Sequence, residues 1–241
     1  MSQDMPQQLQ LKTASIVAIG VFDVRFFTPT ALLKTDILTL PEATAAEGMT
    51  IIPGRVANFE SGPLKVAAEQ NRIHIERTAP PYIKVADILS KALRDNPGGP
   101  SKIAALGVNT MSYWTVDSFE ARDRLGRQIA PLGAWGRWSE ALKAADQFGP
   151  RDVRHPGVSV ITMRLPIRED RSAGWIDVRV SPSPRDITVP ELIIATNDHY
   201  ALPDNDDGAD PLALLAIAET RFDACMKRAD DIVESVLEQA K

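Results

Sequence analysis

Apolar and polar residues alternate through Leu64, Val66 and Ala68, break at Gln70-Asn71, and alternate back through Ile73 and Ile75. A period of two puts one side of a strand in a core. Asn tolerates the positive φ of a tight turn, so this stretch predicts a hairpin. Upstream, residues 16–27 are rich in β-branched and aromatic side chains and predict a strand. Its second half places Phe22, Val24 and Phe26 on one face. Val85, Ile88, Leu89, Ala92 and Leu93 recur at helical spacing and predict a helix, stopped by Asn96-Pro97-Gly98-Gly99-Pro100.

A strand over 103–113 follows, then a helix over 118–129 with Asp117 and Glu120 in a capping arrangement. Trp135, Trp138, Leu142 and Ala145 keep a three-four spacing and predict a further helix to about residue 147. Three strands are expected over 158–167, 175–181 and 191–202. Ile161, Met163, Leu165, Ile176, Val178 and Val180 should share one buried face. From Asp210-Pro211 a last helix runs to about residue 239. Its stripe is Phe222, Cys225, Met226, Ala229, Ile232, Val233 and Val236. Residues 30–62 are too broken by Pro and Gly to assign.

Strands in runs, rather than alternating with helices, predict an α+β fold. The expectation is an antiparallel sheet of about six or seven strands, helices mainly on one face and a long C-terminal helix. With 241 residues, one large domain accounts for the chain. Residues 1–12 read as a loose arm and 13–241 as a single domain. Its element order suggests duplicated halves, 13–115 and 116–241, although no residue-level repeat accompanies them.

The net charge is −5. That argues against nucleic-acid binding as a property of the whole chain, because phosphate neutralisation needs a basic surface. The charge is uneven: residues 186–241 hold 13 acids against 4 bases. A local basic face for nucleic acid is therefore the weakest reading. A single cysteine, Cys225, forms no internal disulfide, and the polar N-terminus lacks a signal peptide's apolar core. A cytoplasmic protein with no membrane span is expected.

Signatures of particular chemistry are weak. Gly98-Gly99-Pro100-Ser101-Lys102 lacks the Gly-Lys pair of a phosphate-binding loop. His74, His155 and His199 show no metal-ligand spacing, so no metal and no cofactor are expected. In the acidic stretch 204–210, placing Gly208 at a calcium loop's sixth position puts Pro203 and Leu214 where oxygen ligands are needed. Cys225 lies on an apolar stripe and reads as a core thiol. Asp198 and His199 are adjacent on a strand and point to opposite faces, which weighs against an acid–base pair.

Two groups suggest binding. Trp135, Arg137 and Trp138, with Arg122, Arg124 and Arg127 on the preceding helix, fit a protein partner, since Trp and Arg dominate interface hot spots. Asn109, Tyr113 and Trp114 at one strand end, with Asp198, His199 and Tyr200 at another, fit a ligand pocket over the sheet. The first group favours a non-catalytic interaction subunit, in a bacterial-type cytosolic multi-protein system or as a homo-oligomer. The second favours a small-molecule or nucleotide binder, with a hydrolase among its forms.

Overall fold

The computed structural model describes residues 7–95, 102–140, 158–167, 173–186, 188–201 and 213–239. At its centre lie two long antiparallel strands, β1 (Gln8–Val21) and β6 (Lys102–Thr115). Ala14, Ile16 and Ala18 of β1 and Ile103, Leu106 and Val108 of β6 are buried, which is why these strands sit innermost. Beside β1 the sheet continues through β5 (Arg72–Arg77), β4 (Leu64–Glu69), β3 (Val56–Ser61) and β2 (Glu47–Ile52). Beside β6 it continues through β9 (Glu191–Ala201), β8 (Ala173–Pro182) and β7 (Ile161–Ile167). Every pairing is antiparallel. Each side thus repeats one order: a long central strand, a meander stepping back to it, then a helix.

Those two helices are α3 (Lys84–Arg94) and α5 (Ala213–Glu238). Both lie on the same face and bury their stripes in one core. Val85, Ile88 and Leu89 of α3 meet Leu215, Ala218 and Phe222 of α5 and Ile16, Ile73 and Ile75 of the sheet. Arg94 pairs with Glu219 at 2.7 Å where the two helices adjoin. A smaller core joins α4 (Phe119–Ile129) to the far end of α5 through Leu125, Leu192, Ile194, Val233 and Leu237. Of the expected stripe, Phe222, Cys225, Ala229 and Val233 are buried and Met226, Ile232 and Val236 half-buried, while Lys227, Asp230 and Glu234 are exposed.

Several expectations are corrected. Among the described residues the sheet has nine strands, against the six or seven expected. The two additional strands, β2 and β3, fold from the unassigned stretch, together with two short helices, α1 (Pro29–Lys34) and α2 (Leu40–Thr44). Residues 8–12, expected in a loose arm, belong to β1. The first strand ends at Val21 rather than Phe27, and residues 24–27 form a 3-10 turn. Asp23 caps that turn by accepting the Arg25 backbone N–H at 3.1 Å, a local bond that competes with pairing to a neighbour. Ser118, not Asp117, caps α4, accepting the Ala121 N–H at 3.1 Å. The helix stop at residues 96–100 lies outside the described residues.

The six-residue face of β7 and β8 is half right. Ile161 pairs with Val180, Met163 with Val178 and Leu165 with Ile176, so all six share a face. Only Ile176 and Val180 are buried; Met163 and Leu165 are each 64% exposed. The alternation fixes the face, and β7 at the sheet edge runs past the helix that covers it.

Candidate functional site

Trp135 and Trp138 do not share a helix. A 3-10 turn ends at Trp135, and Gly136 takes φ 55°, a left-handed conformation that glycine adopts without strain. The backbone therefore reverses between the two indoles. Trp135 is 55% and Trp138 61% exposed, and Arg137 between them is exposed. Trp138 therefore packs in no core; Leu142 and Ala145 of the expected helix lie outside the described residues. Nor do the three arginines of α4 form one basic face. Arg122 is buried, with its guanidinium 4.9 Å from the centre of the Phe119 ring, whereas Arg124 and Arg127 are exposed.

The pleat divides the six residues expected to line one pocket. Register across β6 and β9 pairs Asn109 with Asn197, Gly107 with His199 and Tyr113 with Ile193, all on the face away from the helices. It pairs Val108 with Asp198, Leu106 with Tyr200 and Trp114 with Leu192, on the helix-covered face. Asp198 and His199 thus face opposite ways, as their adjacency requires.

On the open face, His199 stacks on Trp175 with ring centroids 4.0 Å apart. Arg164 lies 4.4 Å over the other part of this stack and grips Asp177 through two bonds, 2.7 and 2.8 Å. The Trp175 indole N–H donates to Asp177 at 3.2 Å. The Arg164 guanidinium holds the Asp177 carboxyl below its usual range. Burial, with Arg164 nearby, lowers the pKa of His199, keeping the imidazole neutral. Next to this stack Asn197 closes over Gly107: a Cβ there would stand 3.0 Å from Asn197 Oδ1, a buried oxygen that accepts no hydrogen bond. Trp175, Asp177, Asn197 and Arg164 were not singled out in the sequence. Only their register against His199 and Asn109 brings them together.

On the covered face, the Tyr200 hydroxyl is 3.5 Å from Cys225 Sγ, and Arg228 lies 2.7 Å from Asp198. This last contact is an ion pair without hydrogen-bond geometry, as Asp198 Oδ2 accepts no bond. Burial pushes the Asp198 carboxyl up and the Cys225 thiol up to about 11. Burial likewise raises the Tyr200 hydroxyl. A thiol so held is protonated at neutral pH and is no nucleophile. The cluster anchors α5 to β9.

A third feature lies where α5 ends. A groove of about 360 Å3 runs between the beginning of β1, the end of β6 and the last turns of α5. Leu9, Trp114, Val233 and Leu237 form its floor, and Asp230, Glu234 and Glu238 its rim. Among the described residues no group of three His, Cys, Asp or Glu could hold a metal ion, and no helix is long and apolar enough to cross a membrane. His155 and the acidic stretch 204–210 lie outside the described residues. In comparison with known proteins, the chain matches no family model and no curated protein.

Proposed function

We propose that the chain is a non-catalytic subunit, working in the cytoplasm, whose task is to bind another protein chain. The observation that carries this reading is the pair of indoles at Trp135 and Trp138, each more than half exposed around a glycine reversal. A Trp in water gives up the burial that makes it worth keeping, and large rigid rings with one polar handle are suited to anchoring a partner. The sheet edges support the same reading. β2 and β7 are outermost, and Met49, Ile51, Ile52, Met163 and Leu165 are exposed along them. Edge strands carry unpaired backbone groups, and an antiparallel edge accepts an identical copy of itself. A second copy of this chain is accordingly the first partner to test.

Trp135→Ala and Trp138→Ala separate the reading from a packing role. At a dilution where parent and variants are single chains the variants should keep the parent's melting temperature, while association weakens by about 2 kcal/mol or more per residue. A loss of about 3–5 kcal/mol of folding stability instead would assign the rings to a core.

The open face favours a second reading, a small-molecule binder. Its support is the buried Asn197 oxygen that accepts no hydrogen bond, with the imidazole of His199 two residues along the same face. Asn197→Leu, which removes that oxygen, should abolish binding of such a ligand; retained binding would exclude this face.

A further inference from the structure

The groove at the end of α5 combines features that select for one kind of occupant. Its floor is apolar: Val233 and Leu237 are buried, Trp114 is half-buried, and Leu9 is 42% exposed. Its rim is acidic. Asp230, Glu234 and Glu238 recur every four residues along α5, so their carboxylates line one side of the helix. Among the described residues the one basic side chain in the lining, Lys12, is committed to Asp230 at 2.5 Å. Glu234 and Glu238 have no ion-pair partner among the described residues. They also stand at the C-terminal end of a 26-residue helix, where the backbone dipole is negative, and no basic side chain occupies its last turn. Like charges at this spacing destabilise a helix, and the dipole adds to the cost.

We infer that this groove binds a lysine-bearing, apolar segment of a partner protein, its methylenes on Leu9, Trp114 and Leu237 and its ammonium groups on Glu234 and Glu238. Lysine suits both parts, because its long stem covers apolar surface while its head stays with the carboxylates. The inference rests on the reading that the chain binds another protein, and it specifies the chemistry of one contact.

The probe is a short acetylated and amidated peptide of alternating leucine and lysine, with the leucine–glutamate peptide as its control. Titration calorimetry of the full chain should show saturable binding of the lysine peptide, weakened at high salt, and none of the glutamate peptide. Glu234→Gln combined with Glu238→Gln should weaken binding about fivefold, the effect of two exposed ion pairs. Asp223→Asn combined with Asp231→Asn, on exposed positions of the same helix outside the groove, should leave it unchanged. Circular dichroism and melting of each variant establish that the fold persists. Absence of saturable binding, equal binding of both peptides, or binding to the Gln pair within twofold of the parent would overturn the assignment. Trp135→Ala and Trp138→Ala lie outside this groove and test association separately. A failed titration with an intact tryptophan effect removes only the groove.

Discussion

Replacing Phe222 with Ala tests how α5 holds the two halves of the sheet together. Phe222 is 1% exposed and shares a core with Ile88 and Leu89 of α3 and Tyr200 of β9. Burying such a ring is worth about 1.5–3 kcal/mol in transfer from water. The neighbouring strands are fixed by ladders on both sides and collapse little into the space left, so a cavity term brings the cost to about 3–5 kcal/mol. That is a large part of a net stability on the order of 5–15 kcal/mol. In urea, with a slope near ~3 kcal/mol/M, the midpoint should fall by about 1–1.7 M. Lys227→Ala, on the exposed side of the same helix, should move it hardly at all. An unmoved midpoint for Phe222→Ala, with an unchanged slope, would refute the role given to α5.

Gly20→Ala should disturb the central pairing. A Cβ there would stand 1.9 Å from the Lys102 carbonyl oxygen, so β1 and β6 must shift at a cost of about 1–3 kcal/mol. Gly133→Ala, which meets nothing within 4 Å, should be neutral in the same denaturation experiment. Glu42 supplies a pH dependence. Burial raises its carboxyl, but the Lys84 ammonium and the Thr39 N–H and hydroxyl outweigh this and hold it at about 2, against an ordinary 4.5. The folded state therefore binds this proton less readily. Its contribution is complete above pH 4.5 and is lost as the pH falls towards 2. Glu42→Gln should cost about 0.5–1 kcal/mol at neutral pH, and the gap should close near pH 2; a gap that persists in acid would show that the ion pair is not its source.

The hairpin of β4 and β5 and the helices α3 and α5 are legible in the sequence because their periods of two and 3.6 match the burial found. The opposed directions of Asp198 and His199 follow from the pleat alone. Other features depend on what lies outside a local window. Residues 22–27 keep a strand's alternation, yet Asp23 turns the chain through a bond to a backbone two residues away. The spacing of Trp135 and Trp138 is helical, yet Gly136 admits a positive φ that no periodicity records. Alternation puts Met163 and Leu165 on the helix side of β7 but is silent on where the helices stop. The stack of Arg164, Trp175 and His199 draws on three strands, so it exists only once their register is set.

The interaction reading is tested most directly by the mass of the chain in solution, measured by sedimentation over a range of concentrations for the parent and for the Trp135→Ala, Trp138→Ala double variant. The parent should sediment as more than one chain and the double variant as a single chain, with equal melting temperatures at a dilution where both are monomeric. A parent that sediments as a single chain throughout, or a variant that associates like the parent, would contradict this reading.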